Sequence, residues 1–125
     1  QVLWPDHCIQ GSLGANFHPD LKDEKADVII RKGSNPAVDS YSAFFENDKV
    51  TPTGLHGYLK DCEVTDLTLV GLATDFCVAF SALDAARLGY QVTVSLDMVR
   101  AIDADGSLRS AMDKTSKAGV DLVNG

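Results

Sequence analysis

The stretch that decides the fold is residues 66–78, DLTLVGLATDFCV, where an apolar, β-branched run passes directly into a segment with a cysteine. Residues 66–72 have the composition of a buried parallel strand. Residues 74–88, TDFCVAFSALDAARL, are rich in alanine and free of proline, and Gly89 follows them as a typical helix C-cap. A second apolar run, QVTVSL at residues 91–96, comes next. These segments predict a strand, a helix and a second strand.

Segments on either side extend this alternation. Residues 26–31, ADVIIR, are a further β-branched run that predicts another buried parallel strand. The patterns predict helices over 53–62 and 105–117, a last short strand over 120–123, and an ordered loop over 1–25, where glycine and proline break any period. The sequence therefore predicts an α/β fold, a three-layer sandwich with a parallel sheet.

The length of the chain limits it to one domain. Its 125 residues can bury one core, and 45% hydrophobic with 23% charged residues is ordinary for a folded protein. Loops normally connect elements and do not open a fold. We therefore expect residues 1–125 to be a single domain that lacks an N-terminal strand.

Charge and hydropathy exclude several partners. The net charge is −7, with acidic residues scattered along the chain, which argues against binding nucleic acid or an anionic membrane. No apolar run approaches the roughly 18 residues that cross a bilayer. The sequence predicts a cytoplasmic protein.

The cysteines argue for free thiols. Cys8, Cys62 and Cys77 are odd in number and form no CxxC pair, which disfavours a disulfide framework and a structural zinc site. At least one thiol is therefore free.

Cys77 is the strongest candidate for chemistry, because it follows a buried strand at the start of a helix. Ligands bind at the carboxyl ends of such strands. If Thr74 is the N-cap, Cys77 is the third helical residue, where the helix dipole favours the thiolate and free N–H groups suit an oxyanion. A Thr74 cap on the Cys77 N–H would compete with that use. The alternative is a small, buried apolar cysteine.

Lys32 is a second candidate, since it directly follows the predicted strand at 26–31. Neighbouring strand ends would place Lys32 and Cys77 on one rim, where an ammonium favours the thiolate and can join proton transfer. The alternative is a solvated surface lysine.

His7 is a candidate metal ligand within the opening segment WPDHC, residues 4–8. Histidine and thiolate both bind zinc and similar ions, but one cluster is an incomplete site. The alternative is a surface histidine or one that forms only hydrogen bonds. His18 and His56 show no ligand-like spacing, and we assign them no role.

Four ordered segments resemble the nicotinamidase branch of the isochorismatase-like hydrolases. They are WPDHCIQGSLGANFHPDL, IIRKG, YSAF and LVGLATDFCV, and the resemblance covers essentially the whole chain. It implies an isochorismatase-like fold and hydrolysis of nicotinamide to nicotinate and ammonia through a cysteine thioester, a step of NAD salvage. Pyridine carboxamides such as pyrazinamide are alternative substrates.

The resemblance also implies roles for individual residues. Cys77 matches the nucleophile and Lys32 the catalytic lysine of the family. A cis peptide is implied at Leu72-Ala73, and the N–H groups of Ala73 and Cys77 are implied to form the oxyanion hole.

The same resemblance implies a pyridine-binding metal site. His7 matches a ligand of a divalent metal, which could be zinc, iron or manganese and which binds the pyridine nitrogen. Trp4 and Tyr41 match aromatic positions that line the pyridine pocket.

Other parts of the family's site are absent from this sequence. The family's catalytic aspartate lies on its first strand, and an aspartate and two histidines that complete the metal site lie just before WPDHC. We therefore expect this chain to be inactive without an N-terminal segment of the same protein, since the chemistry needs a base.

Alternatives to a nicotinamidase stay open at this point. A sister amidase or another isochorismatase-like hydrolase would share the fold, and an inactive binding module would keep it for an interface. The sequence also leaves a homo-oligomer open.

Overall fold

A three-stranded parallel sheet forms the centre of the molecule in the computed structural model, which describes residues 2–125. In sheet order the strands are β1 (Asp66–Leu72), β2 (Gln91–Arg100) and β3 (Asp121–Val123). The helices are α1 (Leu55–Asp61) before β1, α2 (Ala79–Arg87) between β1 and β2, and α3 (Ser107–Lys117) between β2 and β3. The predicted α/β fold with a parallel sheet is confirmed.

One face of the sheet carries the core. Parallel pairing sets Leu67 beside Val92 and Leu69 beside Val94, and Val94 in turn pairs with Leu122 of β3. Because side chains alternate along a strand, these residues form an apolar row on the same face. The burial of β1 follows this alternation, with Leu67 and Leu69 half-buried between exposed neighbours.

Helix α2 covers this apolar face. Its Ala82 and Ala85 are fully buried and belong to the same core cluster as Val92 and Val94. Alanine at these positions brings the helix backbone close to the sheet, since no longer side chain separates the two layers. Leu55 and Leu59 of α1 pack against the edge of the cluster.

The opposite face of β1 is open in the described residues. Val70 is 53% exposed and Leu72 is 71% exposed. No helix in residues 2–125 is both long and apolar enough to span a membrane.

The strand predicted at residues 26–31 is not present. The segment pairs with no strand of the described chain, and its Val28 and Ile29 are exposed. A strand requires a neighbouring backbone to accept its hydrogen bonds, so β-branched composition alone does not make one.

The other elements agree with the predictions to within a few residues, apart from β2, which runs on to Arg100. Residues 2–25 of the predicted loop contain only short 3₁₀ turns at Leu13–Ala15 and Asp23–Lys25, and residue 1 lies outside the described part. The predicted helix over 74–88 is divided into a π-helical turn, Thr74–Val78, and α2.

Gly89 ends α2 as predicted. Its φ is +97°, a left-handed conformation that glycine adopts without a steric penalty. The N–H of Tyr90 donates to the carbonyl of Ala85, and the N–H of Gly89 donates to that of Ala86, both at 3.1 Å. This pair of bonds is the Schellman motif, which turns the chain from α2 into β2.

Replacing Gly89 with alanine should therefore lower the free energy of unfolding by roughly 1–2 kcal/mol, because the new Cβ is forced into the left-handed region. Gly57 provides the matched control, since it is exposed inside α1 with open space where a Cβ would go. Gly57→Ala should raise the free energy of unfolding by up to about 1 kcal/mol. Urea denaturation of the two variants measures both changes, and effects of the same sign would contradict the helix-end geometry.

Candidate active site

Cys77 lies in the π-helical turn that joins β1 to α2, here called the nucleophile turn (Thr74–Val78). The N–H of Val78 donates to the carbonyl of Ala73, five residues earlier, at 3.0 Å. Because the turn starts from the Ala73 carbonyl, Ala73 takes the cap position and Thr74 is buried within the turn. The prediction of Thr74 as N-cap is wrong, and no side chain caps the turn.

Lys32 contacts the sulfur of Cys77. The Nζ–Sγ distance is 3.6 Å, and Nζ also donates to the carbonyl of Ser40 at 3.0 Å. The carbonyl fixes the direction of the ammonium, which is then placed to donate to a thiolate. The predicted meeting of Lys32 and Cys77 is thus observed, although the segment before Lys32 is not a strand.

The two residues predicted for the oxyanion hole sit at this turn. The Leu72-Ala73 peptide is cis, as the sequence resemblance implied. Ala73 and Cys77 both line the cleft above the nucleophile turn. Their shared role in binding an oxyanion stays a prediction.

The cleft over Cys77 has a volume of about 600 Å³ and one aromatic wall. The indole N–H of Trp4 donates to the hydroxyl of Tyr41 at 2.8 Å. Phe76 lies edge-on to both rings, with centroid distances of 4.9 Å to Trp4 and 5.6 Å to Tyr41. A wall of this kind suits a flat aromatic ring. Sequence reasoning predicted Trp4 and Tyr41 but missed Phe76, whose only signal was its place next to Cys77.

The end of β2 forms another wall of the cleft. Arg100, Ala101 and Ile102 line it, and all three were missed because the sequence pattern ended the strand at residue 96. Asp39 and Ser40 line it as well, and no sequence signal set them apart.

Asp75 is a buried carboxylate within the nucleophile turn, with 4% of its surface exposed. It accepts hydrogen bonds from the N–H of Ile102 at 3.1 Å, the N–H of Asp103 at 2.7 Å and the hydroxyl of Ser107 at 2.6 Å. Burial raises the pKa of Asp75, but these hydrogen bonds outweigh it and leave the pKa below its ordinary value. Asp75 is therefore ionised at neutral pH.

Ser81 joins the nucleophile turn to the segment that carries Tyr41. Its hydroxyl donates to the carbonyl of Cys77 at 2.6 Å and accepts the N–H of Ala43 at 2.8 Å. The same side chain thereby satisfies one backbone group on each segment.

His7 also lines the cleft, and its ring has a defined orientation. Its Nδ1 lies 2.7 Å from the carbonyl of Pro5. Since a carbonyl only accepts, Nδ1 carries the proton in the neutral ring and Nε2 keeps a free lone pair, as in histidines that bind metals.

The described residues do not make a metal site by themselves. Residues 2–125 contain no group of three or more His, Cys, Asp or Glu side chains that could hold an ion. Catalytic metal sites usually use about three protein ligands, and His7 by itself would be only one of them.

Comparison with known proteins identifies relatives of the whole chain. The isochorismatase domain family matches residues 1–124. A nicotinamidase of Acinetobacter baylyi is 48% identical over 124 residues, which are 99% of this chain and 58% of that protein. The solved Acinetobacter baumanii nicotinamidase/pyrazinamidase superposes with a TM-score of 0.97 at 50% identity, covering 99% of this chain and 60% of that one.

Two further solved structures hold bound molecules. PnC1 from L. infantum, in complex with nicotinate, has a TM-score of 0.92 at 38% identity and covers 98% of this chain and 61% of that one. The pyrazinamidase of Pyrococcus horikoshii, in complex with zinc, has a TM-score of 0.82 at 32% identity. The match covers 98% of this chain and 64% of that one. This chain thus spans about three-fifths of the length of these relatives. The match to the domain family and the 48% identity to the A. baylyi protein show that the chain belongs to the isochorismatase family.

Proposed function

We propose that the protein containing these residues is a nicotinamidase, which hydrolyses nicotinamide to nicotinate and ammonia for NAD salvage. The observation that carries the proposal is the 3.6 Å contact between Lys32 Nζ and Cys77 Sγ at the base of an aromatic-walled cleft. The activities of the relatives support the same substrate, and pyrazinamide fits the same cleft by its similar ring and carboxamide.

In this proposal Cys77 attacks the carboxamide carbon of the substrate. The C–N bond then breaks, the nitrogen takes up a proton and leaves as ammonia, and a thioester remains on the sulfur. Attack of water on the thioester releases nicotinate and restores the thiol. The N–H groups of Ala73 and Cys77 hold the oxyanion in both steps, and Lys32 stabilises the thiolate.

The base that takes the thiol proton comes, in this proposal, from an N-terminal segment outside these residues. Residues 1–125 then form one isochorismatase-like domain that this segment completes. The open apolar face of β1, with Val70 and Leu72 exposed, supports the docking of further chain there. Among the described residues that line the cleft, Asp39 is the acidic one, which makes it the alternative base to test.

We also propose that His7 supplies one ligand to a divalent metal, whether zinc, iron or manganese, with the other ligands on the N-terminal segment. The free Nε2 of His7 beside the cleft and the zinc bound by the P. horikoshii relative support this. A metal there would give the pyridine nitrogen an electrophilic partner.

The free cysteines fit a cytoplasmic location, where thiols stay reduced.

The central test of the function is Cys77→Ala in the full-length protein. It should abolish ammonia release from nicotinamide, because Cys77 is the thiol whose sulfur contacts Lys32 Nζ in the cleft. Cys62→Ala is the matched control, since Cys62 is exposed at the end of α1 and should keep full activity. Comparable losses in both variants would point to folding and contradict the assignment.

The same assay applied to the 125-residue chain alone should give no turnover, with activity returning when the separately made N-terminal segment is added. If the 125-residue chain alone hydrolyses nicotinamide and Asp39→Asn abolishes that activity, Asp39 is the base. That result would contradict the assignment of the base to the N-terminal segment.

Replacing Lys32 with alanine should slow alkylation of Cys77 by iodoacetamide roughly fivefold, because a partly exposed ammonium stabilises the reacting thiolate only modestly. Mass spectrometry of the Cys77 peptide from full-length protein gives the rate. Lys60→Ala, on the exposed side of α1, should leave that rate unchanged. An unchanged rate in Lys32→Ala would remove Lys32 from the site.

His7→Ala should reduce the metal content of the full-length protein and raise KM for nicotinamide together, because one change removes both the ligand and the ion that it holds. His18→Ala, an exposed histidine in the same loop, serves as the control. Elemental analysis of the purified variants measures the metal, and an unchanged stoichiometry in His7→Ala would show that His7 is not a ligand.

A further inference from the structure

Asp75 connects two parts of the cleft that are distant in sequence. It lies two residues before Cys77, and its three hydrogen-bond donors lie 27 to 32 residues further along the chain. Asp75 is therefore attached by its backbone to the nucleophile turn and by its carboxylate to the segment that follows β2.

The segment that Asp75 holds is a wall of the cleft. Ala101 and Ile102 line the cleft together with Phe76 and Cys77, and the N–H of Ile102 is one of the three donors. Residues 101–106 form neither strand nor helix, and three of them have a left-handed backbone: Asp103, Asp105 and Gly106. Because this loop belongs to no strand or helix, its position depends on the Asp75 side chain, which accepts its N–H groups.

Resting on the proposed function, we propose that Asp75 is a positioning residue for the reaction, which holds the Ala101–Ile102 wall at a fixed separation from Cys77. In this proposal the substrate ring binds between this wall and the aromatic wall, which line the same cleft. The carboxylate thereby sets the width of the space in which the carboxamide carbon is presented to the sulfur. A small displacement of such a wall is expected to reduce catalysis strongly.

Both carboxylate oxygens of Asp75 act as hydrogen-bond acceptors in this contact. One oxygen accepts the N–H of Ile102, and the other accepts the N–H of Asp103 and the hydroxyl of Ser107. Asparagine has the same shape but replaces one oxygen with an NH₂ group, which cannot accept the N–H of Ile102 or of Asp103 that it would face. Asp75→Asn therefore keeps the shape of the side chain but removes a hydrogen bond that holds the Ala101–Ile102 wall.

In the full-length protein, Asp75→Asn should raise KM for nicotinamide and lower kcat/KM about ten- to a hundredfold. Ser107→Ala, which removes one donor and keeps both N–H contacts, should change KM in the same direction by less. The control is Asp113→Asn, an exposed aspartate on α3 with no ion pair or hydrogen bond from its side chain in the described residues, which should leave both constants unchanged. If kcat falls in proportion to the folded fraction while KM stays unchanged, Asp75 has only a structural role and the proposal is overturned.

A second measurement separates this inference from the function on which it rests. Amide hydrogen exchange at Ile102 and Asp103 should be faster in Asp75→Asn than in the wild type, whatever the substrate is. If the wild type does not hydrolyse nicotinamide, the proposed function fails while this measurement still tests the positioning contact. Unchanged exchange at both amides in Asp75→Asn would overturn the role of Asp75. If that variant does not fold, Ser107→Ala decides by KM for nicotinamide, and an unchanged KM in that variant would overturn the proposal.

Discussion

The packing of α2 onto the paired strands β1 and β2 determines where every other part of the site lies. The fully buried Ala82 and Ala85 bring the helix against Val92 and Val94, and the parallel register of the strands holds those valines beside Leu67 and Leu69. Because only Ala73 and the nucleophile turn separate β1 from α2, this packing leaves Cys77 at the carboxyl end of the sheet, where a helix begins.

Segments distant in sequence reach this turn through polar contacts. Lys32 bridges the sulfur of Cys77 and the carbonyl of Ser40, Ser81 joins the backbone of Cys77 to that of Ala43, and the carboxylate of Asp75 holds the segment after β2. The turn is thus the common anchor for the lysine, the aromatic wall and the Ala101–Ile102 wall. In these contacts each donor is paired with an acceptor, which favours one arrangement of the loops over others.

The elements that could be predicted from the sequence were those that local pattern determines. The strand at 66–72, the helix after it and the glycine that ends that helix all follow from composition and spacing within a short window. The strand at 26–31 could not be excluded in this way, because pairing depends on a neighbouring backbone and not on the segment itself. Cys77 and Lys32 were candidates from their positions after predicted strands, whereas Trp4 and Tyr41 came only from motif resemblance. Phe76 and Ile102 were missed because their place in the cleft arises from long-range contacts, such as the one between Asp75 and Ile102.

The most direct test of the central claim, covalent catalysis by Cys77, is to trap the intermediate. Full-length protein mixed with nicotinamide and quenched rapidly in acid should yield a Cys77 peptide heavier by one nicotinoyl group, since a thioester survives acid better than neutral water. The peptides that carry Cys8 and Cys62 should keep their unmodified masses. Turnover of nicotinamide with no adduct on Cys77 under single-turnover conditions, or an adduct on another residue, would contradict the account.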